Sequence, residues 1–292
     1  MIPTLKYKLT ATLLRCLSLL PYRLVAKTGE ALGSALYRIP GKRRHILQTN
    51  LRLCFPEKSS FEREELARDT FRHVIRSYLE RAFQWYASAE KISKLVSLDS
   101  AIELSESYDQ PTIFLGFHFA AIEAGCVAYS TLHPVASVYT PMSSVMANRI
   151  ALEQRSRFGV DMISRNDSAR RILKVLKTGK PVMLAADMDF GLRDSVFVPF
   201  FGVPACTLTS VSRLASVSGA RVVPFVTEVL PDYQGYCLRI FKPLKNYPSG
   251  DITADALYMN QFLETQVRQL PDQYYWVHRR FKRRPAGETP VY

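Results

Sequence analysis

The segment Pro111–Glu123, with the sequence PTIFLGFHFAAIE, is the most informative stretch of the chain for its fold. It opens with a short run of β-branched and aromatic residues between Pro111 and Gly116, which is typical of a buried strand. His118 stands where that strand should end, and the acid Glu123 follows five residues later. We therefore expect a strand that ends at His118 and a helix whose first turn carries Glu123.

Further segments with the composition of strands alternate with helical patterns along the rest of the chain. The strand candidates are Val135–Tyr139, Pro181–Ala186, Arg221–Val229 and Tyr236–Phe241. Strands that alternate with helices are typical of an α/β domain with a mostly parallel sheet flanked by helices. We place this domain at residues 100–292.

The first hundred residues are expected to be helical. In the region 41–99, Ser59 and Glu62 form a capping-box pattern, and apolar spacing predicts a long helix from there to about Tyr86. In residues 1–40 the apolar run Leu9–Leu20 is shorter than the about 20 residues that span a bilayer. We expect an interfacial or membrane-anchoring helical segment there, with a helical hairpin packed on the domain as the alternative.

The chain carries a large excess of positive charge, with 39 Lys and Arg against 26 Asp and Glu and a net charge of +13. Such an excess attracts nucleic acid, anionic membranes, phosphorylated substrates or an acidic protein partner. The C-terminal HRRFKRR, residues 278–284, has basic residues around an aromatic, but no known nucleic-acid module accompanies it. We therefore expect no nucleic-acid binding.

The cysteines indicate neither a disulfide framework nor a zinc site. They are odd in number and widely spread, at Cys16, Cys54, Cys126, Cys206 and Cys237, and no two form a C-x-x-C pair. We interpret them as reduced, small hydrophobic residues of a protein that faces the cytoplasm.

His118 and Glu123 are the residues best suited to catalysis. Along one continuous helix, two residues that are five positions apart are rotated by roughly 500° about the helix axis. Their side chains would therefore point to different faces. At a strand end and a helix start, they meet, and the carboxylate accepts a hydrogen bond from one imidazole nitrogen. The other nitrogen is then free to take a proton from a hydroxyl. No G-x-S-x-G elbow is present, which favours direct attack by the substrate hydroxyl without an acyl-enzyme.

Four ordered blocks of the sequence resemble the lipid A late acyltransferases, a branch of the glycerolipid acyltransferases. The resemblance covers nearly the whole chain and includes the family's H-x4-D/E pattern at His118 and Glu123. The blocks are GFHFAAIEAG at 116–125, VYTP at 138–141 with NR at 148–149 and RSR at 155–157, DMDFG at 187–191 running into SVFVPFFG at 195–202, and QYYWVHRRFK at 273–282. Met188 departs from the His or Gln that is frequent in relatives, and Tyr139-Thr140-Pro141 lacks the Arg that many have before the Pro, which leaves substrate details open.

The resemblance implies transfer of a fatty acyl chain, of lauroyl type, from acyl carrier protein to a hydroxyl of an acylated, phosphorylated glucosamine disaccharide. It implies His118 as general base with Glu123 as its partner, and matches Arg155 and Asp187 to positions needed for activity. It implies no cofactor and no catalytic metal, and a location at the inner membrane with the active site facing the cytoplasm. Other acceptors, namely another glycolipid or a lysophospholipid, remain the alternative, and a non-catalytic lipid-binding protein is the alternative from another class.

Three further features of the sequence bear on function. Arg155 and Arg157 suit phosphate recognition, because a guanidinium offers two parallel donors, and we expect both to bind substrate. Asp187 is expected to bind substrate too, whereas Asp187 and Asp189 as metal ligands lack an evident third ligand. The apolar run 195–202 is expected to line an acyl-chain tunnel, to pack the core, or both.

Overall fold

The computed structural model describes residues 4–167 and 169–292 as a helical N-terminal region followed by a sheet with flanking helices. The helices are α1 (Thr4–Leu17), α2 (Tyr22–Tyr37), α3 (Lys42–Cys54), α4 (Ser60–Tyr86), α5 (Ala89–Leu95), α6 (Glu106–Asp109), α7 (Ile122–Leu132), α8 (Val145–Arg155), α9 (Ala169–Leu176), α10 (Ser210–Ser218) and α11 (Ile252–Gln269). The strands are β1 (Val96–Ser100), β2 (Thr112–Gly116), β3 (Ala136–Tyr139), β4 (Asp161–Ser164), β5 (Val182–Ala185), β6 (Ser195–Phe200), β7 (Val203–Leu208), β8 (Arg221–Val229) and β9 (Tyr236–Ile240).

Seven strands form one sheet in the order β1-β9-β8-β2-β5-β3-β4, and β6 and β7 form a separate hairpin. Strands β8, β2, β5, β3 and β4 pair in parallel, whereas β9 is antiparallel to β8 and parallel to β1. The expected mostly parallel sheet with flanking helices is confirmed. Because parallel strands end at the same edge, the loops after β2, β5, β3 and β4 meet there, which is where such sheets bind ligands.

All five predicted strands are present, as β2, β3, β5, β8 and β9. Strands β1 and β4 and the β6–β7 hairpin were not among the predicted strands. Strand β1 has the sequence VSLDS and lies at the edge of the sheet with most of its residues exposed, so it lacks the apolar run of a buried strand. It also begins at Val96, ahead of residue 100, where we placed the start of the α/β domain.

Side chains of β2 alternate between two core clusters, one on each face of the sheet. Ile113 and Leu115 belong to one cluster, and Phe114 belongs to the other, as the two-residue period of a strand requires. Every residue of β2 is buried, because the strand has neighbours on both sides and helices on both faces. The central strand therefore holds the segment that follows it, which contains His118, in a fixed position.

The predicted long helix is α4, and its capping box is present. The Ser59 side chain accepts from the Glu62 backbone N–H, and the Glu62 carboxylate accepts from the Ser59 N–H at 2.7 Å. Helix α2 packs closely against α4, because a Cβ added at Gly29 would lie 2.7 Å from the Arg76 Cα. Helix α3 links the helical N-terminal region to the C-terminal segment, because Asn50 Nδ2 donates to the Trp276 backbone oxygen at 2.6 Å.

The two N-terminal helices expose leucines. Leu5, Leu9 and Leu13 recur every four residues along α1, and each is at least 60% exposed. Of the residues that the structure describes, no single helix has the length and apolar composition to cross a membrane. The pair Leu5–Leu17 and Tyr22–Tyr37 meets both criteria jointly, with a bend of 115° between the helices.

Candidate active site

A cavity of about 1230 Å³ lies at the edge of the sheet where the parallel strands end. Its wall includes His118 after β2, Glu123 on α7, Arg155 at the end of α8 and Arg165 after β4. The volume exceeds the roughly 300–1,000 Å³ of ordinary small-molecule pockets. Apolar residues from both faces of the sheet complete the wall, among them Cys126, Val127, Met183 and Phe225 on the α7 side and Ile172, Leu173, Leu214 and Val217 on α9 and α10.

His118 is paired with Asp187, which follows the neighbouring strand β5. The imidazole Nδ1 lies 2.6 Å from Asp187 Oδ1, and the His118 backbone N–H donates to Asp187 Oδ2 at 3.0 Å. The Tyr274 hydroxyl donates to the same Oδ2 at 3.1 Å. The Asp187 side chain is 0% exposed and that of His118 is 28% exposed. Two adjacent strand ends therefore hold a buried carboxylate against a partly accessible imidazole.

The Asp187 carboxyl group is ionised. Burial by itself raises its pKa, but the His118 charge and the hydrogen bonds from His118 outweigh burial and lower the pKa to about 2. A carboxylate accepts hydrogen bonds only, so Nδ1 of His118 carries the proton that it donates. In the neutral ring Nε2 is then an acceptor, and within the described part of the chain nothing hydrogen-bonds to it. His118 thus presents a basic nitrogen to the cavity.

The predicted hydrogen bond between His118 and Glu123 is wrong. Glu123 does lie on the first turn of α7, as expected, but its carboxylate turns towards α4 and α8. Trp85 Nε1 donates to Glu123 Oε1 at 2.8 Å, and Arg155 binds both carboxylate oxygens, with Nε at 2.7 Å from Oε1. Asp187 takes the imidazole because it comes from the next strand and bonds to the backbone and the ring of His118 together.

Arg155 neutralises Glu123 in a bidentate ion pair. Burial raises the pKa of Glu123, but the Arg155 charge and its hydrogen bonds outweigh burial and lower the pKa to about 2. Arg155 uses Nε and Nη2 for this pair, and no acceptor for its Nη1 lies within residues 4–167 and 169–292. Because Arg155 lines the cavity, Nη1 is the donor of this guanidinium that remains for a ligand.

Arg157 lies apart from the other predicted site residues. Its Nη2 donates to the Gln84 backbone oxygen at 3.2 Å, and its guanidinium lies 4.2 Å from the centre of the Phe158 ring. It is not part of the described cavity wall. The contact with Gln84 joins α4 to the turn after α8, and substrate binding by Arg157 stays a prediction that this cavity does not support.

Asp189 is occupied by protein donors. Its carboxylate accepts from the backbone N–H of Gly191 and of Arg283 and from Arg283 Nη1. In the portion of the chain that the structure describes, no three His, Cys, Asp or Glu side chains are grouped so as to hold a metal ion. The carboxylate instead ties the loop after β5 to the C-terminal segment.

The apolar run 195–202 packs the core and does not form part of the described cavity wall. It forms β6 and the turn into β7, and Phe200 contacts the rings of Tyr274, Trp276 and Phe281. Of its two predicted roles, core packing is confirmed. The run does not line this cavity, so the tunnel role stays a prediction.

The C-terminal segment buttresses His118, which the residue pattern alone did not indicate. The Tyr275 N–H donates to the His118 backbone oxygen at 2.9 Å, and the Ala120 N–H donates to the Gln273 oxygen at 2.8 Å. Tyr274, between them, reaches Asp187. The spacing of residues gave no signal for Tyr274 or Trp85, because each lies far in the sequence from the carboxylate that it contacts. Tyr274 contacts Asp187, and Trp85 contacts Glu123. The resemblance marked the block 273–282 without assigning it a role.

Comparison with known proteins places the chain among lipid A enzymes. A family model described as bacterial lipid A biosynthesis acyltransferase matches residues 3–283. The lipid A biosynthesis lauroyltransferase of Escherichia coli (strain K12) is 34% identical over 94% of this chain and 90% of its own length. The palmitoleoyltransferase of the same organism is 31% identical over the same shares. A lipid A biosynthesis acyltransferase of Haemophilus influenzae is 32% identical over 94% of this chain and 90% of its own.

Proposed function

Because the chain belongs to the bacterial lipid A biosynthesis acyltransferase family, we propose that it moves a fatty acyl group from acyl carrier protein to a hydroxyl of an acylated, phosphorylated glucosamine disaccharide. The observation that carries this proposal is the pair of His118 and Asp187 at the wall of a large, partly apolar cavity. Such a pair supplies a general base, and the cavity supplies room for lipid chains.

In the proposed reaction His118 Nε2 takes the proton of the acceptor hydroxyl as its oxygen attacks the thioester carbonyl. A tetrahedral oxyanion forms and collapses with cleavage of the carbon–sulfur bond. The imidazolium then returns the proton to the leaving thiolate. The products are the acyl ester and the free carrier thiol, and no acyl-enzyme is formed. Asp187 keeps Nδ1 protonated and stabilises the positive ring during the transfer.

Arg155 and Glu123 act beside this base. We assign Arg155 to the developing oxyanion or another anionic substrate group, because its Nη1 remains available at the cavity wall. Glu123 is a positioning residue that fixes the Arg155 guanidinium through two hydrogen bonds. This role replaces the direct contact with His118 that the spacing suggested.

The cavity offers apolar surface on both sides of the sheet edge for the donor and acceptor chains. A lauroyl-type donor chain is the expectation from the sequence, and the names of the relatives span several acyl chains. The Cys126 thiol lies at this wall, and burial raises its pKa to about 12, so it is protonated and acts as an apolar lining group.

The protein is proposed to work at the inner membrane with its cavity on the cytoplasmic side. The exposed leucines of α1 give it an apolar face for a lipid surface, and the net charge of +13 favours anionic headgroups and an acidic carrier protein.

The test is acyl transfer from a panel of acyl carrier protein thioesters to a tetra-acylated lipid A precursor, read by product mass. His118→Ala should lower kcat by roughly 10³-fold or more, because the base is lost. His45→Ala, which removes an exposed histidine of α3, is the matched control and should keep wild-type activity. Transfer only to a lysophospholipid would overturn the acceptor, and full activity of His118→Ala would overturn the mechanism.

A further inference from the structure

A second group of charges lines the cavity, on the side of β4, α9 and α10. We call Arg165, Arg193 and Arg213 the arginine rim. Arg165 directly follows β4, Arg193 lies in the loop between β5 and β6, and Arg213 lies on α10. Three separate parts of the chain thus bring guanidinium groups to one wall.

Arg165 has no carboxylate partner within the described residues. Its guanidinium lies 3.8 Å from the centre of the Phe190 ring, and this contact holds the guanidinium without using its N–H donors. Burial lowers the pKa of Arg165, which means that the site partly desolvates a charge without neutralising it. The Arg165 guanidinium is therefore suited to bind an anionic group of a ligand.

The rim has more positive than negative charge. Arg193 is 96% exposed and lies 3.7 Å from Asp194, whose carboxylate already accepts from Arg213 at 2.8 Å. The other acid at this wall, Asp167, is bound by Arg171 at 2.6 Å. Three arginines against the one remaining carboxylate leave a local charge of +2. A phosphate monoester carries about −1.5 to −2 near neutral pH and matches that charge.

We propose that Arg165 and Arg193 form a subsite that binds a phosphate group of the acceptor lipid. The inference rests on the proposed function for the identity of the acceptor. Planar guanidinium groups bind phosphate through paired N–H donors, and Arg193 is free to turn towards the ligand. Arg213 holds Asp194, which keeps that carboxylate away from the bound phosphate.

The separation of the rim from His118 fits one extended acceptor molecule. Strands β2 and β4 are three strand spacings apart in the order β2-β5-β3-β4. At about 4.8 Å per spacing their ends lie roughly 14 Å apart. An acylated disaccharide carries its reacting hydroxyl on an acyl chain and its phosphates on the sugars. It can therefore place a hydroxyl at His118 while a phosphate contacts Arg165.

The test measures acceptor binding in the absence of acyl donor, so that it does not depend on turnover. The ligands are the bisphosphorylated precursor and two forms that each lack one phosphate. Arg165→Gln and Arg193→Gln should each raise the Kd for the bisphosphorylated form about tenfold. For the form that lacks the recognised phosphate, the variants and wild type should bind equally, because arginine and phosphate act as one pair. Arg268→Gln, which removes an arginine stacked on Phe201 away from this wall, is the control.

Two results would overturn the subsite. One is an equal loss of affinity by the variants for all three acceptors, and the other is unchanged Kd values throughout. The donor also carries a phosphate, the phosphodiester of the carrier arm, so binding of the acyl carrier protein thioester is measured in parallel. If only donor binding weakens in the variants, the acceptor assignment is wrong. Phosphate-dependent binding without acyl transfer by wild type would refute the proposed chemistry and leave the subsite standing.

Discussion

The two charged parts of the cavity wall differ in how their charges are satisfied. Around His118 the carboxylates of Asp187 and Glu123 are fully hydrogen-bonded by protein donors, and each has a cationic or imidazole partner. On the arginine rim, Arg165 is held by an aromatic ring and Arg193 by one distant carboxylate. In the first part each charged group already has an oppositely charged or imidazole partner, whereas the guanidinium of Arg165 in the second part has no carboxylate partner within the described residues.

This difference corresponds to two tasks. A general base works only if its ring, tautomer and partner are fixed before substrate arrives, so its neighbours are best supplied by strands and buried side chains. A group that recognises a phosphate binds it more tightly when its N–H donors have no partner in the protein, because the phosphate then accepts those hydrogen bonds. The same cavity therefore combines a catalytic part, in which His118 is fixed by protein contacts, with the arginine rim, whose donors are available to a ligand.

Among changes that leave the His118–Asp187 pair intact, the largest effect is expected from breaking the Arg155–Glu123 pair. Arg155→Gln removes the Nη1 donor and leaves the Glu123 carboxylate without its cation. We expect kcat/KM to fall about 10²-fold and the free energy of unfolding to fall by about 3 kcal/mol. Steady-state kinetics and chemical denaturation measure the two effects.

The double variant Glu123→Gln, Arg155→Gln separates these effects. It leaves no uncompensated charge, so stability should recover towards wild type, while activity should stay low because the donor is still absent. Recovery of activity together with stability would show that Arg155 is only a structural partner of Glu123.

A smaller effect is expected from Tyr274, the buried donor to Asp187. Burial and the Asp187 charge raise the pKa of Tyr274 well above its usual value, so the hydroxyl keeps the proton that it donates. Tyr274→Phe should lower kcat roughly fivefold, which is about 1 kcal/mol, with KM unchanged, because Asp187 loses one of its donors. The effect should vanish in an Asp187→Asn background. A rise in KM alone would contradict a positioning role, and Tyr129→Phe, a buried tyrosine beside Ser107, is the control.

The two parts should also differ in how their contributions to stability respond to acid. The folded-state pKa of Asp187 is about 2, below the roughly 3.9 of a free aspartate, so its contribution to stability is present above pH 4. That contribution, about 2 kcal/mol, is lost as the pH falls towards 2. Asp187→Asn should therefore lose less stability than wild type between pH 5 and 2.5. Arg165→Gln should follow wild type, because arginine stays charged throughout, and the same acid slope in all three proteins would contradict this account.

The sequence was sufficient for the α/β class and for five of the strands, because buried parallel strands are apolar runs with clear ends. It also placed His118 at a strand end and Glu123 on a first helical turn. It failed on the partner of His118, because contact between Asp187 and His118 depends on β5 being the neighbour of β2. Strand order is a property of the whole sheet and is not encoded by local spacing.

The edge strand β1 and the support from Tyr274 were missed for related reasons. Edge strands carry polar residues and lose the apolar pattern. Tyr274 reaches Asp187 from a position 87 residues away in sequence. Only the resemblance to a family drew attention to the C-terminal block, and the contacts of Tyr274 and Tyr275 now give that block a physical role.

The most direct test of the account is a double-mutant cycle on His118 and Asp187, read as kcat for acyl transfer to the lipid A precursor. If the two residues act as one unit, Asp187→Asn alone should lower kcat by roughly 10²-fold or more. Combined with His118→Ala, it should add less than about a threefold further loss. Near-wild-type activity of Asp187→Asn, with Glu123→Gln as damaging as His118→Ala, would contradict the account and restore Glu123 as the partner of the base.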